Sequence, residues 1–270
     1  MSSISRSQLV KELEPGLHAL FGLEYKRWER EHAEIFTENN SDRAFEEETL
    51  LSGFGAAPTK AEGGSVEFDT ASEQWTARYV HETIALAFSV TEEAVEDNLY
   101  DTLSKRYTAA LARSMAYTKQ VKAANVLNNG FSSSYVGGDG KAMITTDHPT
   151  LAAGDLANEP STASDLSETS LESAIISIGG FVDDRNVPVA VNARKLIIPK
   201  DLAFTAQRIL KSDLRVGTAD NDTNALRQMN ILPQGYAVNH YLTDTDAWFI
   251  LTDLVNSGLK MFQRRPLKTS

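Results

Sequence analysis

Cysteine is absent from the 270-residue sequence, which excludes disulfide bonds, thiolate metal sites and cysteine nucleophiles. Positive charge is scarce: 26 Lys and Arg stand against 37 Asp and Glu, for a formal net charge of −11. Each phosphate contact needs a Lys or Arg, so this balance argues against a protein that grips nucleic acid. No apolar run approaches the ~18 residues of a membrane span, and the N-terminus lacks a signal-peptide core. We therefore expect a soluble protein of the cytoplasm.

The longest element that the sequence predicts is a helix over residues 91–129. This stretch contains no glycine or proline, Thr91 is a suitable N-cap, and Asn129 and Gly130 form a suitable C-terminal stop. At about 1.5 Å per residue the helix would be roughly 55 Å long, and few small domains need such a rod. Apolar residues at helical spacing predict its buried face: Val95, Leu99, Leu103, Tyr107, Leu111 and Met115.

Two stretches before this helix lack a core of their own. Residues 1–45 predict an amphipathic helix interrupted at Pro15, then a charged stretch, as in an arm that lies on another surface. Residues 46–90 begin with a loop rich in Gly, Ala and Pro, and then alternate apolar and polar residues in VEFDT, QWTARYV and IALAFSV. Period-two alternation predicts strands with one apolar face. Because a lone hairpin is marginally stable in water, this excursion should need a partner surface.

The second half of the chain predicts a compact α/β part. Residues 187–210 predict a strand, a proline turn and a helix, and residues 231–253 predict a strand, a turn and another strand. The polar stretch 217–229 between them predicts a flexible connection. Ahead of them, Ser167 is a good N-cap for a helix with apolar residues at helical spacing: Leu171, Ile175 and Ile178.

The most site-like stretch is GGDGKAMITTDHP, residues 137–149, with its glycines, two aspartates and a histidine. One interpretation makes Asp147 and His148 a metal site or the acid–base pair of a hydrolase. Adjacent residues on a strand point to opposite faces, however, so they seldom bind one ion together. Glycine accepts positive φ, and a residue before proline favours extended backbone. We favour two structural turns around a short strand, and we keep the hydrolase as an alternative from another class of protein.

Other patterns of catalysis and metal binding are weak. Asp244, Asp246 and Asp253 suggest calcium, yet the central Gly and terminal Glu of an EF-hand loop are not in place, and a β-turn fits better. The sequence has no HExxH and no G-x-S-x-G, and GGDG lacks the lysine and the following helix of a phosphate loop. We expect no enzyme activity, no catalytic residue, no metal and no cofactor.

The order of these elements resembles the major capsid proteins of tailed bacteriophages, which share the Hong Kong 97-type fold. Five segments look like the Mu-like major head subunit group: SVTEEAVEDNLYDTL, AANVLNNGF, GGDGKAMITTDHP, NHYLTDTDAWFIL and FQRRPL. The family usually continues for some tens of residues past the RRP strand, so we expect the peripheral domain to be incomplete. The resemblance implies an α+β fold with an N-terminal arm (1–45), an extended β-hairpin loop (46–90), a peripheral domain (91–150) containing a spine helix (91–129), an apical domain (151–250) and a return to the peripheral domain (251–270).

By the same resemblance, copies of the chain are expected to assemble as hexamers and pentamers into an icosahedral shell around double-stranded DNA. This implies a virion capsid protein, assembled in the host cytoplasm, that encloses DNA without sequence-specific binding and has no membrane partner. Portal and scaffolding proteins are implied partners, and a decoration protein is a further candidate. An encapsulin-like shell with protein cargo is the nearest alternative. The expected inter-subunit contacts lie on the arm and the extended loop: Trp28, Phe54, Lys60, Phe68, Trp75, Arg78 and Tyr79.

Overall fold

The residues that the computed structural model describes fall in four ranges: 10–89, 100–215, 222–254 and 258–268. They form two compact units. The first comprises the chain up to His32, Glu82–Ala123 and the residues from Arg265 onward, and the second comprises Ala33–His81 and Ala124–Arg264. Within the four ranges, no helix combines the length and the apolar character that a membrane crossing requires.

Helix α1 (Val10–Lys26) belongs to the first unit. The predicted interruption at Pro15 is wrong, since the helix continues through this residue. Proline removes one backbone donor, and Pro15 lies in the second turn, so the helix loses a single hydrogen bond close to its start. Phe21 is buried and stacks on Tyr25 one turn later, with ring centroids 6.2 Å apart. The arm therefore buries part of its apolar face within its own unit.

The long helix α2 spans Tyr100–Asn128, inside the predicted range; residues 90–99 lie outside the described part of the chain. Its predicted buried face is wrong where it can be compared. Tyr107 is 52% exposed, and Leu111 and Met115 are only half-buried, while Val95, Leu99 and the Leu103 side chain lie outside the described residues. Small and polar residues carry little hydropathy, so the periodicity selects the neighbouring stripe. The buried line lies one residue further along: Ser104, Thr108, Ala112, Ala116 and Gln120.

A parallel pair of short strands joins distant parts of the second unit. A 3₁₀ turn at Glu31–Glu34 precedes strand β1 (Thr37–Asn40). β1 pairs with the last strand, β7 (Lys260–Gln263), and Thr37 lies opposite Lys260 in the register. The end of the N-terminal arm is thereby fixed to the C-terminal strand.

An antiparallel hairpin follows, formed by β2 (Phe45–Leu51) and β3 (Glu73–Val80). β3 confirms the predicted strand QWTARYV. The predicted strands VEFDT and IALAFSV are wrong, because residues 66–70 and 84–89 are irregular. A strand needs a partner for its backbone groups, and the described residues offer these two stretches none. The sequence does not predict β2, since three consecutive glutamates at 46–48 hide its alternation.

A hydrophobic core of the second unit surrounds a three-stranded sheet in the order β5–β4–β6. The central strand β4 (Ala193–Pro199) pairs in parallel with β5 (Tyr236–Asn239) and antiparallel with β6 (Phe249–Thr252). Leu196 and Ile198 of β4 are fully buried in this core. The sheet confirms the strands predicted in the second half of the chain.

Helices α3 (Glu168–Gly179) and α4 (Ala203–Lys211) contribute to the same core. The predicted cap of α3 is confirmed: the Ser167 hydroxyl accepts from the Ser170 amide at 3.1 Å, and the Ser170 hydroxyl accepts from the Ser167 amide at 2.8 Å. The predicted face of α3 is confirmed as well, by the core residues Leu171, Ile175 and Ile178.

A short helix, α5 (Ala225–Gln228), corrects the prediction of a flexible connection over 217–229. Asn224 caps it by accepting from the Arg227 amide at 3.2 Å, and Leu226 is buried in the core. One buried leucine anchors an otherwise polar stretch; residues 216–221 lie outside the described residues.

Candidate interaction surface

The segment between β2 and β3 is a long loop with a closed base. The Ser52 amide donates to the Ser72 carbonyl at 2.9 Å, and the Ser72 amide donates to the Ser52 hydroxyl at 2.8 Å. Residues 53–71 therefore project from a defined hydrogen-bonded base.

The tip of this loop carries apolar side chains in water. Every residue from 56 to 68 is exposed. Phe68 is 96% exposed, and Val66 and Phe54 are each 64% exposed. Large apolar residues scattered singly over a surface are ordinary, but three on one projecting loop are typical of a surface that another protein covers. Lys60 is exposed on the same loop.

Two of the predicted contact residues of β3, Arg78 and Tyr79, contact other residues of the same chain. The Arg78 guanidinium lies 3.7 Å above the ring of Phe45 on β2, and its Nε lies 3.6 Å from Glu47 Oε1. The ring of Tyr79 lies 5.8 Å from that of Phe262 on β7. Trp75 is half-buried.

A second contact with β7 is electrostatic and lies at the end of the hairpin away from the loop. Burial, together with the negative charge of Glu48, raises the pKa of Tyr79. Glu48 also forms an ion pair with Lys260 of β7. The root of the hairpin is thus fixed to β7, while its tip lies outside the core. Six of the seven predicted contact residues lie on this one hairpin.

The seventh predicted residue, Trp28, lies in the first unit. It is exposed, and the Arg113 guanidinium of α2 lies 5.3 Å from its ring. Next to it, Gln120 of α2 accepts from the His32 amide at 3.0 Å and donates to the Glu29 carbonyl at 2.9 Å. The arm is therefore held along α2 just after Trp28.

The GGDG turn packs against the hairpin. A Cβ placed on Gly138 would lie 3.0 Å from the Ala77 amide nitrogen and 3.0 Å from the Thr76 carbonyl carbon. Gly140 has φ +76°, which only glycine adopts easily. The sequence predicts the turn but not its contact with the hairpin, because only the fold shows that β3 passes over Gly138.

Asp147 and His148 face different partners. Asp147 accepts from Lys141, which forms an ion pair with it, and from the Thr145 hydroxyl at 2.6 Å; these contacts lower the pKa of Asp147. His148 Nδ1 lies 2.6 Å from Asp139 Oδ2. The two side chains bind different residues within the turns of 137–149. The described residues bring no three metal-ligating side chains together.

The three aspartates of the calcium alternative do not act together either. The Asp246 amide donates to Asp244 Oδ1 at 3.3 Å, and hydrogen bonding between the two carboxyls lowers the pKa of Asp244 and raises that of Asp246. Asp253 instead accepts from the backbone and side-chain amides of Asn192 at 2.8 and 3.1 Å. Asp244 and Asp246 form a turn, and Asp253 connects the end of β6 to Asn192.

Comparison with known proteins shows a family match and similar folds. Residues 75–268 match the family model described as phage capsid protein. A search of curated protein sequences found no match.

Solved capsid proteins of bacteriophage JBD30 are similar in fold. For its procapsid the TM-score is 0.60 at 14% identity, covering 88% of this chain and 100% of that one. For its capsid the TM-score is 0.60 at 12% identity, covering 78% and 90%. For its capsid decorated with minor capsid protein trimers the TM-score is 0.57 at 14% identity, covering 77% and 89%. At such identities the likeness shows the fold alone.

Proposed function

Because the chain belongs to the phage capsid protein family, it is a structural protein rather than an enzyme, and we propose that it is the major capsid protein of a tailed phage. Family membership sets aside the hydrolase alternative at Asp147 and His148. In this proposal, copies of the chain form hexamers and pentamers that close into an icosahedral shell around double-stranded DNA. The net charge of −11 suits a container that must release its DNA.

The proposal divides the chain as a Hong Kong 97-type subunit. Residues 1–45 are the arm, 46–90 the extended loop and 91–129 the spine helix. Residues 151–250 form the apical domain, supported by the sheet β5–β4–β6 and its surrounding core. The remaining segments, 130–150 and 251–270, belong to the peripheral domain, supported by the pairing of β7 with β1.

The observation that carries the proposal is the exposed tip of the extended loop. Burying a side chain such as Phe68 contributes about 1.5–3 kcal/mol, so a subunit that leaves Phe54, Val66 and Phe68 in water forgoes this stabilisation. A shell recovers it many times over, because each copy can cover the tip of a neighbour. The subunit contacts are thus proposed at this tip, with Trp28 and the outer face of β3 as further contributors.

Other virion proteins are proposed as partners. The solved JBD30 capsid carries trimers of a minor capsid protein, and a procapsid of that phage exists. We extend both features to this chain as a decoration protein and a scaffold-assisted precursor shell, together with a portal at one vertex. The match to a phage capsid family favours this assembly over an encapsulin-like shell with protein cargo.

Assembly of the purified chain tests the proposal directly. Negative-stain electron microscopy and light scattering should show rings or closed shells, with scaffold supplied where it is needed. Phe68→Ser should impair assembly, whereas Glu67→Ser, a neighbouring exposed and polar position, should not. A monodisperse 29.6 kDa monomer at high concentration, with scaffold present, would contradict the proposal.

A further inference from the structure

A carboxylate on the extended loop connects three separate points of the second unit. Asp69 Oδ2 accepts from the Gly55 amide at 2.8 Å, across the loop. Its Oδ1 accepts from the Thr70 amide at 2.8 Å and from Arg185 Nη2 at 2.7 Å. Gly55, Thr70 and Arg185 together lower the pKa of Asp69, which keeps it charged. The loop is therefore tied both to itself and to a residue far along the chain.

Arg185 projects from a tight, internally bonded turn. Asp183 Oδ1 accepts from the Arg185 amide at 2.9 Å and from the Val187 amide at 2.8 Å. The Asp183 amide donates to the Val187 carbonyl at 2.9 Å, and Asn186 takes the left-handed conformation at φ +64°. The Arg185 side chain is mostly buried. A guanidinium on so well determined a turn is a fixed anchor and not a free surface charge.

We propose that Asp69 and Arg185 are positioning residues: their ion pair clamps the extended loop to its own subunit and aims the exposed tip at a second copy. The inference rests on the assembly role proposed above. It places the boundary between the clamped and projecting parts at Gly55 and Asp69, so that residues 56–68 project beyond the clamp and the exposed Phe54 lies just inside it.

The physical benefit of such a clamp is preorganisation. The Ser52–Ser72 base alone leaves residues 53–71 to sample many directions, and docking would have to overcome that disorder. A second connection between Gly55 and Asp69 shortens the free part, and the Arg185 anchor fixes its direction. Docking of Phe68 then requires less ordering. The sequence offers no sign of this pair, because 116 positions separate the two residues.

The test uses the full chain in its unassembled and assembling states. The variants are Arg185→Gln, Asp69→Asn and the double variant, with Arg185→Lys as the conservative change. Arg208→Gln is the control, since Arg208 is exposed and its guanidinium bonds Thr205 on its own helix. The first measurement is the rate of tryptic cleavage at Lys60 in unassembled chains. The second is the rate of shell assembly, followed by light scattering.

The clamp predicts a specific pattern. Arg185→Gln should raise cleavage at Lys60 about threefold to fivefold, as expected for loss of a partly exposed ion pair. Adding Asp69→Asn to it should have less than an additive effect, because both variants break one contact. Arg185→Lys should recover part of the protection and Arg208→Gln should change nothing. The variants that are cleaved fastest at Lys60 should also assemble most slowly. Their melting temperatures should stay close to that of the unaltered chain.

The outcomes separate the two proposals. Equal cleavage at Lys60 in the unaltered chain and in Arg185→Gln overturns the clamp, whether or not shells form. Faster cleavage with unaltered assembly overturns the positioning role and leaves the capsid function standing. Failure of the unaltered chain to assemble overturns the capsid function and the positioning role together, and the cleavage rates still decide whether the clamp exists.

Discussion

The side-chain oxygen of Gln120 accepts a hydrogen bond of 3.0 Å from the backbone amide of His32, and both residues are buried. The same side chain donates to the Glu29 carbonyl at 2.9 Å. One amide thus satisfies two backbone groups of the arm where it lies along α2. A buried glutamine is costly unless both of its ends are bonded, so its presence indicates that the position of the arm is specified.

We therefore predict that Gln120→Ala destabilises the chain by about 1–3 kcal/mol, because it leaves two backbone groups without their partners. Thermal unfolding measures the effect, and the melting temperature should fall by roughly 2–4 °C for each kcal/mol. Gln228→Ala, at an exposed position of α5, is the matched control and should leave the melting temperature nearly unchanged. Equal effects of the two variants would show that Gln120 does not hold the arm.

A second prediction concerns the buried stripe of α2. Ala112 is completely buried, so Ala112→Leu should overpack its surroundings and destabilise the chain by about 1–3 kcal/mol. Ala110→Leu adds the same atoms two residues earlier, at an exposed position, and should be nearly neutral. Melting temperatures of the pair provide the comparison. If Ala110→Leu proved the more damaging, the face of α2 would be misassigned.

Helix α2 also shows how much of the structure can be predicted from the sequence. The absence of glycine and proline over 91–129 and the capping residues at its ends predict that a long helix exists, and α2 confirms it. The side that it buries depends on how closely the neighbouring backbone approaches. Serine, threonine and alanine permit that approach without a hydropathy signal, so periodicity favours Tyr107 although its side chain is largely in water.

The hairpin shows the same limit for strands. β3 is predictable from its alternation, but β2 contains three consecutive glutamates, two of which form ion pairs with cations that the fold supplies. Glu47 meets Arg78, and Glu48 meets Lys260 more than two hundred positions away. The contact surface proposed at the tip stays a prediction, which rests on apolar residues in a glycine-rich loop. The ion pair of Asp69 and Arg185 could not be predicted, because the two residues are 116 positions apart in the sequence and only the fold brings them within 2.7 Å.

The third prediction tests the packing of the GGDG turn on the hairpin. Gly138→Ala places a methyl group 3.0 Å from backbone atoms of Thr76 and Ala77, so either the turn or β3 must move, at a cost of about 1–3 kcal/mol. Gly179→Ala is the control, since nothing lies within 4 Å of its Cβ at the end of α3. That change should stabilise slightly, by up to about 1 kcal/mol. Thermal melting distinguishes the two, and similar shifts would argue against the contact.

The fourth prediction is a pH dependence at Asp147. Lys141 and Thr145 lower the pKa of this carboxyl in the folded chain below its ordinary value of 3.8. A lowered folded pKa means that the stabilisation is complete above 3.8 and is lost as the pH falls through the folded value. The unaltered chain should therefore melt higher than Asp147→Asn near neutral pH, and the difference should shrink as the pH falls below 3.8. A difference that stays constant or grows in acid would contradict this ion pair.

The last prediction separates the tip of the extended loop from its root. Lys60 lies in the exposed stretch 56–68, whereas Arg78 lies in β3, opposite Glu47 in the hairpin register and above the ring of Phe45. A protease needs an unpaired, extended backbone, so trypsin should cut unassembled chains at Lys60 at least about tenfold faster than at Arg78. Lys60→Gln should remove the fast cleavage and confirm its site.

In assembled shells the neighbouring subunit should cover the tip, so cleavage at Lys60 should slow by about tenfold or more, while cleavage at Arg78 remains slow in both states. Peptide mapping of matched unassembled and assembled samples measures both sites at once. Arg78 serves as the internal reference, because its protection comes from the hairpin and not from assembly. Equal cleavage at Lys60 in the two states would mean that the tip faces solvent in the shell. The exposed phenylalanines would then need a partner other than a second copy of the chain.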